Sequence, residues 1–418
     1  MTLIHILLVC PDSPCPPRDG GSLRITNLAR ALAGHASVQL LTYVLSPEER
    51  RALVDFGYKF GFQTQGIQRP ARRHRLTRTW HKLRHYYRPY LCGSLPGPVR
   101  FNQQPVMQQA LSQALAEFQP DVILWEYWFM AGFADQARRE APTTFQILDI
   151  HELEWLRLQR FAQVNHDWTT WWPRFIWPRI QRYTWECFKR VDQVAMLTAA
   201  DEHTTRAQNI NPDRLFTLPM GLLLDEYPVP LTSPQPERIL FFGSFRHQPN
   251  VDALRFLLQD IWPLIQRDRP QAILDVMGSN LPQWVTSLTA QNHSLRLLGF
   301  QPDIRPTLAE ASVVIVPLRF GSGVKIKILE SMALGKAVVT TSIGAEGIEA
   351  QPGTDFIVAN DAQALASETV RLLANPSIRD SLGQHARRFI QTRHDADQIA
   401  KDFLTRLNEF GVNRELTR

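Results

Sequence analysis

Residues 313–339 read VVIVPLRFGSGVKIKILESMALGKAVV, and this stretch decides the fold. Its β-branched run, Val313–Val316, predicts a buried strand, from which a glycine-bearing loop leads into a helical pattern over Val324–Leu334. Gly335 ends the helix, and Ala337–Thr341 predicts the next strand. The order strand, loop, helix, strand is typical of a parallel α/β sheet. Backbone N–H groups at the start of such a helix attract anions, so the loop suits a phosphate.

Two charged residues of this helix are candidate binding residues. Lys327 and Glu330 are three positions apart, on the side of the helix opposite its apolar stripe. We expect Lys327 to neutralise a diphosphate and Glu330 to accept hydrogen bonds from sugar hydroxyls. The alternative is a solvated Lys–Glu pair on a surface helix, and the spacing alone fits both interpretations.

The same alternation of strands and helices extends over the chain and predicts two domains. It begins at Leu3 and restarts at Ile239, after four prolines in the nine residues Pro228–Pro236. Such a proline-rich segment continues neither a helix nor a central strand. We therefore predict a domain over residues 1–228, a second over 237–390 and a closing helix over 391–418. Both domains are expected to be doubly wound, Rossmann-like α/β sheets that face each other across a ligand-binding cleft.

The composition is that of an ordinary globular protein. Of 418 residues, 44% are apolar and 21% are charged, which argues against intrinsic disorder, a collagen-like fibre and a coiled coil. The apolar runs are only as long as strands, and the N-terminus shows no signal-peptide pattern, so we expect a cytoplasmic protein. The four cysteines lack zinc-site spacing and are expected to be reduced.

The quoted stretch resembles the C-terminal donor-binding motif of the retaining GT-B glycosyltransferases of family four. In that family a Glu-x7-Glu element precedes Ala-Met-Ala-x-Gly; Glu330 matches the second glutamate, and Ser322 stands at the place of the first. A branch with Pro-Leu-Arg-x-Gly-Ser-Gly-x-x-x-Lys-Ile-Leu-Glu is closer, and Pro317 to Glu330 carries all of it. The resemblance implies that Glu330 holds the nucleotide ribose. The backbone amides of Gly321, Ser322 and Gly323 are our candidates to replace the missing glutamate at the donor sugar.

Three glycines at predicted strand ends match donor-side loops of the family. Gly243 lies in a segment similar to the opening of the family's second domain, and Gly278 and Gly299 match the loops on the side of the nucleotide base. Plain turns are the alternative, because glycine suits any tight turn.

The positive charge for the diphosphate is distributed unusually. The commoner version of the family carries Arg and Lys where this chain has Ser244 and Pro249. The resemblance then implies that Lys327, Arg319 and Arg246 supply the charge.

Several residues of the predicted first domain are candidates for contact with the donor sugar or the acceptor. Gly20 and Gly21, between the first strand and the first helix, match the family's glycine pair and are expected to approach the donor; a bare turn is the alternative. His151, just beyond a strand end, matches a histidine that contacts the donor sugar, although a lone histidine is also compatible with a structural role. Glu126 ends the neighbouring strand and is expected on the acceptor side.

The resemblance implies a metal-independent, retaining glycosyltransferase. It would move a hexose-type sugar from a nucleotide-diphosphate sugar to a glycan or lipid-linked acceptor, as in cell-surface polysaccharide synthesis, with the acceptor bound by the first domain and the donor by the second. No protein nucleophile is expected, because the leaving phosphate takes the acceptor proton. No metal or other cofactor is expected, since the one Asp-x-Asp, Asp395–Asp397, lies far from any strand end. The alternatives are a nucleotide-sugar epimerase and a non-catalytic GT-B scaffold.

Charge and aromatic residues concentrate in two segments. The net charge is +6, and residues 67–100 carry nine basic and no acidic residues. Basic and aromatic residues together suit an anionic membrane, so Arg69–Arg100 is a candidate for peripheral contact at the inner membrane face, with a solvated insertion as the alternative. No nucleic-acid partner is expected, because no reader motif is present. A second cluster, Trp168–Trp185, suits acceptor binding or an interface, with part of it in the core.

Overall fold

The structure of the protein, a computed structural model, divides into two compact units: Met1–Gly221 with Ala396–Arg418, and Leu222–Asp395. The residues that it describes are 3–70, 96–164, 171–208, 210–229, 234–289, 293–321 and 323–412. Ser322, Trp168 and most of the basic segment Arg69–Arg100 therefore lie outside the described residues.

The first unit is built on a seven-stranded parallel sheet in the part of the chain described. Its strands are β1 (His5–Cys10), β2 (Ser37–Val44), β3 (Gln63–Gln68), β4 (Val122–Glu126), β5 (Phe145–Ile150), β6 (Gln193–Met196) and β7 (Leu215–Thr217). They lie in the order β3-β2-β1-β4-β5-β6-β7. The helices are α1 (Gly20–Ala33), α2 (Pro47–Phe60), α3 (Gly97–Asn102), α4 (Pro105–Phe118), α5 (Ala134–Glu140), α6 (Glu154–Val164), α7 (Trp171–Arg190), α8 (Ala199–Arg206) and, at the end of the chain, α17 (Ala396–Glu409).

The second unit repeats this architecture with a six-stranded sheet over its described residues. Its strands are β8 (Arg238–Phe242), β9 (Ile273–Met277), β10 (Leu295–Gly299), β11 (Val313–Val316), β12 (Ala337–Thr340) and β13 (Ile357–Val358). Their order is β10-β9-β8-β11-β12-β13, and every pair is parallel. The helices are α9 (Gln248–Phe256), α10 (Trp262–Asp268), α11 (Gln283–Thr289), α12 (Arg305–Glu310), α13 (Ile326–Ala333), α14 (Ser342–Ala345), α15 (Ala362–Ala374) and α16 (Pro376–Arg393).

The predicted pair of parallel α/β sheets is confirmed, and the strands with the weakest sequence signal lie at the two edges of the first sheet. β3 has the polar sequence QTQGIQ, and β7 has only three residues, so neither shows the apolar run typical of a buried strand. The helical segment over residues 248–268 consists of α9, a π-helical turn Leu257–Ile261 and α10. The turn places Pro263 at the start of α10, where its missing N–H costs no hydrogen bond.

The division between the units differs from the predicted boundaries. It falls at Gly221 and not at residue 228, because Tyr227 hydrogen-bonds within the second unit, to Glu330. The predicted closing segment 391–418 is itself divided: residues 391–395, at and after the end of α16, belong to the second unit and α17 to the first. Phe403 of α17 is buried, with its ring 6.4 Å from the ring of Phe216 in β7.

The strand register positions the candidate residues. Glu126 and Asp149 are direct neighbours at the carboxyl ends of β4 and β5, and His151 follows β5 immediately. In the second sheet the adjacent strands β8, β9 and β10 lead into Gly243, Gly278 and Gly299. Carboxyl ends of parallel strands are where open α/β sheets bind ligands. Over the described residues, no helix combines the length and the apolarity needed to cross a bilayer.

Candidate functional site

The loop between β11 and α13 carries two glycines with positive φ. Gly321 has φ 144° and Gly323 has φ 70°, and the second value lies in the left-handed region that favours glycine. The helix begins at Ile326, two residues later than predicted, with Lys325 as the residue before it. Lys325 is buried, and its Nζ donates to the Gly323 carbonyl at 2.6 Å. The predicted phosphate loop is thus a turn that a hydrogen bond from Lys325 stabilises, and this lysine was not among the residues predicted from the sequence.

Lys327 is not part of a solvated pair. Its Nζ donates to the carbonyl of Phe242 at 2.7 Å and to Oδ1 of Asn250 at 2.8 Å, and it lies 5.1 Å from the ring centroid of Phe241. Burial lowers the pKa of Lys327 to about 7. Among the described residues, Lys327 forms no ion pair with Glu330, so the surface-pair alternative is wrong.

Glu330 is bonded to a residue that sequence analysis missed. The hydroxyl of Tyr227 donates to Glu330 Oε1 at 3.0 Å. Burial raises the pKa of Glu330 to about 7. Tyr227 is 103 positions away along the chain, so no local pattern could have identified it. Lys327 and Glu330 are therefore two partly buried groups of opposite charge, each held by neutral partners.

The three predicted donor-side glycines form one backbone junction. Gly243 donates its N–H to the Met277 carbonyl at 3.0 Å, and Gly278 donates its N–H to the Gly299 carbonyl at 2.8 Å. A Cβ on Gly278 would lie 1.8 Å from the Gly243 oxygen, and one on Gly243 would lie 2.6 Å from Lys327 Nζ. Only glycine permits this approach of strand ends, and the same junction brings Lys327 against the end of β8.

Arg319 and Arg246, the two arginines predicted to bind the diphosphate, differ in whether an acidic side chain already pairs with them. Arg319 donates to Asp252, with Nη2 2.5 Å from Oδ1, and its guanidinium lies 4.8 Å from the ring centroid of Phe256. The Asp252 carboxylate therefore already neutralises the positive charge of Arg319 that was predicted to bind a diphosphate. Arg246 is exposed, and in the described part of the chain it has no ion-pair partner.

In the first unit, His151 belongs to a buried charge network. Its Nε2 lies 2.7 Å from Glu126 Oε2 and 3.5 Å from Asp149 Oδ2. Arg24 donates to both oxygens of Asp149, from Nε at 2.9 Å and from Nη2 at 2.8 Å. His151 is 8% exposed, and both carboxylates are 0% exposed.

Contacts within the network shift the pKa values of Asp149, His151 and Glu126. Burial opposes the ionisation of Asp149, but Arg24 and His151 outweigh it and lower the pKa of Asp149. Burial also opposes the charge on His151, but hydrogen bonds to Asp149 and Glu126 outweigh it and raise the pKa of His151. Burial, with the nearby Asp149, raises the pKa of Glu126. Glu126 and His151 therefore compete for one proton.

Glu126 does not occupy the position predicted for it. The prediction placed it on the acceptor side, but its carboxylate is fully buried and bonded to His151. Among the described residues, Glu126 Oε1 and His151 Nδ1 have no hydrogen-bond partner. Glu126 thus contacts His151 and not the solvent.

The donor set of this network does not fit a metal ion. Donor atoms of Glu126, Asp149 and His151 lie within 4.8 Å of one another, as in a three-ligand site. Arg24, however, occupies both oxygens of Asp149 with a cationic fork. A metal would have to displace that guanidinium or share its carboxylate with it, and the remaining two ligands make a poor site.

Gly21 owes its identity to a neighbouring tyrosine. A Cβ there would lie 2.0 Å from the hydroxyl oxygen of Tyr127 and 3.6 Å from His151 Nδ1. The ring centroid of Tyr127 lies 4.0 Å from that of His151, and Tyr127 itself has φ 72°. Gly20 starts α1 beside the cap residue Asp19. Gly21 therefore lies beside His151, with Tyr127 packed over it.

The described residues of the basic and aromatic segments differ in exposure. Arg69 pairs with Asp12 at 3.1 Å and lies 4.4 Å from the ring centroids of both Tyr43 and Phe101, so it is not presented to a membrane; Arg100 is exposed. In the aromatic cluster, Tyr183 is buried and Trp177 and Trp185 pack against the core, which confirms the core part of that prediction.

Comparison with known proteins gives the second unit a family match. Residues 236–375 match the family model described as glycosyl transferases group 1. A Klebsiella pneumoniae protein described as an uncharacterized 44.6 kDa protein in the cps region is 24% identical over 168 residues. The match covers 38% of this chain and 43% of that relative, so it spans less than half the length of the curated protein.

Solved structures match nearly the whole chain. HepE of Anabaena in complex with UDP-glucose has a TM-score of 0.67 and 14% identity, over 97% of this chain and 100% of that one. The chain has the GT-B fold. Sucrose-phosphate synthase from Thermosynechococcus elongatus has a TM-score of 0.67 and 17% identity, over 97% and 99%. The pneumococcal O-GlcNAc transferase GtfA in complex with UDP and GlcNAc has a TM-score of 0.69 and 10% identity, over 98% and 99%. At these identities the likeness shows the GT-B fold alone.

Proposed function

We propose that this protein is a retaining glycosyltransferase whose second unit binds a nucleotide-diphosphate sugar. The observation that carries the proposal is the state of Lys327 and Glu330. Both are partly buried on α13, Lys327 is bonded at the carboxyl end of β8, both have a pKa near 7, and each is bonded to neutral groups and not to the other. Oppositely charged groups kept apart in this way are available to an anion and to hydroxyl groups. Both lie within residues 236–375, which match the glycosyltransferase model.

In this reaction the protein mainly positions the reactants and stabilises the charge that develops. Transfer breaks the bond between the anomeric carbon and the diphosphate oxygen and forms a bond from that carbon to the acceptor oxygen. The acceptor proton passes to the leaving phosphate, so no side chain need act as nucleophile or base. Lys327 and the amides of Gly321 and Gly323 would offset the charge that develops on the diphosphate. Glu330 would hold the ribose, and His151 would contact the donor sugar.

Two similarities support the substrate classes. HepE of Anabaena and the pneumococcal GtfA were crystallised with UDP-glucose and with UDP and GlcNAc, so a UDP-hexose is the first donor to test. The matching Klebsiella protein lies in a cps region, which favours a glycan or lipid-linked acceptor in polysaccharide synthesis. We propose that the reaction needs no metal.

A nucleotide screen without added metal tests the proposal. Titration calorimetry against UDP, GDP, ADP and their hexose conjugates should find one nucleotide that binds selectively. Glu330→Ala should weaken that binding by about 1.5–3 kcal/mol, the value of a hydrogen bond to a charged group. Glu349→Ala is the matched control, because this exposed glutamate of the same unit pairs only loosely with Arg393, at 3.4 Å.

The same screen separates the alternatives. A folded wild-type protein that binds none of these nucleotides would overturn the proposal. Binding without sugar transfer to any glycan or lipid-linked acceptor would favour the scaffold, and turnover of the nucleotide sugar in the absence of acceptor would favour the epimerase.

A further inference from the structure

The partner of Glu330 lies outside the residues that the family model matches. Tyr227 precedes the matched residues 236–375, and its hydroxyl donates to Glu330 Oε1 at 3.0 Å. It follows a short 3-10 turn, Leu224–Glu226, at the start of the second unit. Of all the tyrosines described, it is the one bonded to a proposed nucleotide-binding residue.

Tyr227 is held in place on several sides. It is 4% exposed, and its N–H donates to the Leu224 carbonyl at 3.0 Å. Arg387 of α16 donates to the Tyr227 carbonyl at 2.7 Å. Arg305 of α12 donates to the Glu226 carbonyl at 2.9 Å, and its guanidinium lies 5.9 Å from the Tyr227 ring centroid. The hydroxyl therefore reaches Glu330 from a fixed backbone, so little conformational entropy is lost in keeping this bond.

The bond distinguishes the two carboxylate oxygens. Oε1 is occupied by the tyrosine hydroxyl, whereas Oε2 accepts no hydrogen bond from the described residues. A carboxylate fixed through one oxygen presents the lone pairs of the other in a defined direction. We propose that Tyr227 is a positioning residue of the nucleotide site: its hydroxyl orients the Glu330 carboxylate so that the free oxygen receives the ribose hydroxyls. This inference rests on the proposed function and names a residue that serves it.

The same bond affects the ionisation of Glu330. Burial raises the pKa of Glu330 to about 7, and the Tyr227 hydroxyl, Lys327 of α13 and Arg305 of α12 oppose that effect, while Asp303 adds to it. Removal of the hydroxyl should therefore raise the pKa of Glu330 further. Fewer Glu330 side chains would then be ionised at pH 6.5, whereas at pH 8.5 most would remain so.

The substitution Tyr227→Phe tests this with UDP as the probe. Calorimetry at pH 6.5 should show binding about fivefold weaker than in the wild type, and at pH 8.5 a smaller loss of about twofold should remain, because the carboxylate is then ionised but no longer oriented. Tyr43→Phe is the matched control. Tyr43 is a buried tyrosine of the first unit whose hydroxyl donates to the Asn102 carbonyl at 2.7 Å, so its loss removes one buried hydrogen bond elsewhere. We expect UDP affinity in that variant to equal the wild-type value at both pH values.

A double-mutant cycle shows whether Tyr227 acts through Glu330. In a Glu330→Ala background, which removes the acceptor of the hydroxyl, Tyr227→Phe should cause no further loss of UDP affinity. Equal affinities of wild type and Tyr227→Phe at both pH values would overturn the inference, as would a pH-independent loss that persists in the Glu330→Ala background. Both outcomes leave the proposed function intact, because they require that the wild type binds UDP. A wild type that binds no nucleotide would instead remove the proposed function, and the inference with it.

Discussion

The ammonium group of Lys327 is satisfied by a carbonyl and an amide oxygen, with no carboxylate within ion-pair distance among the described residues. A partly buried cation without a counter-ion is costly, and here the cost is expressed as a pKa lowered to about 7. A bound diphosphate would supply the missing negative charge. Binding of the nucleotide should therefore raise the pKa of Lys327 and take up a proton near neutral pH.

Lys327→Met should separate binding from stability. Methionine keeps the apolar stem and removes the charge, so we expect UDP binding to weaken about tenfold at pH 7. In the wild type, affinity should fall as the pH rises above 7 because Lys327 loses its proton, and the variant should lack that dependence. Titration calorimetry from pH 6 to pH 9 measures both effects.

Lys336→Met is the control for this prediction. Lys336 is buried beyond the other end of α13, donates to the Ala311 carbonyl at 3.2 Å, and has a pKa lowered by burial to about 8. Its loss should leave UDP affinity unchanged. If Lys327→Met lowers only the melting temperature and binds UDP as the wild type does, the role assigned to Lys327 is wrong.

The contact between Glu126 and His151 predicts how the pKa of His151 responds to a substitution of Glu126. Glu126 helps to raise the pKa of His151, so Glu126→Gln should lower it. Protonation of His151 stabilises the fold fully below the ordinary pKa, near 6.5, and this contribution is lost as the pH rises through the raised folded-state pKa. In Glu126→Gln the folded-state pKa of His151 should be lower, so this stabilising contribution should be lost at a lower pH than in the wild type. Histidine ring titration by NMR measures the pKa, and thermal unfolding between pH 5 and pH 9 measures the stability.

Glu154→Gln is the matched control in the same unit. Glu154 also has a pKa raised by burial, but its partners are Trp128, whose Nε1 donates to it at 3.0 Å, and Arg157, at 3.4 Å. The pKa of His151 should not respond to this substitution. An unchanged pKa in Glu126→Gln would show that the short contact between His151 and Glu126 does not govern the proton.

At the scale of elements, helical periodicity predicts α13 and its buried face but not the surroundings of its other face. Ile328, Leu329 and Met332 are fully buried, as their spacing indicates. Lys327 and Glu330 lie on the opposite side, which periodicity alone interprets as solvent-exposed. They are covered by groups 85 and 103 positions away, at Phe242 and Tyr227. Such long-range contacts leave no local pattern in the sequence.

The loop glycines show a similar limit. The sequence marks Gly21 and Gly278 as places where the backbone is free to turn, and strand ends are where such turns are expected. The structure gives more particular reasons: the Tyr127 hydroxyl lies against Gly21, and the Gly243 carbonyl lies against Gly278. Both contacts depend on which strands become neighbours in the sheet. The position of a glycine was thus predictable, whereas the atom that requires it was not.

For the whole molecule, strand and helix alternation predicts two sheets, but it does not predict which unit the last helix joins. The apolar positions of α17 indicate an amphipathic helix that must pack against something. They are equally compatible with either sheet. The structure groups α17 with the first unit, where its Phe403 is 2% exposed and packs near Phe216. The prolines at 228–236 gave no information on this point, because the chain crosses between the units elsewhere, at Gly221 and at Ala396.

Phe403→Ala tests this grouping. Truncation of a buried phenylalanine costs about 3–5 kcal/mol, and that loss should fall on the first unit. Hydrogen exchange should quicken in α17, in α1 and in β7, while α15 and α16 of the second unit keep their protection. Ile390→Ala is the converse control, because this fully buried residue of α16 lies in the second unit. It should quicken exchange in α16 and leave α1 unchanged. If Phe403→Ala instead exposes the second unit while α1 stays protected, the last helix belongs with the other sheet.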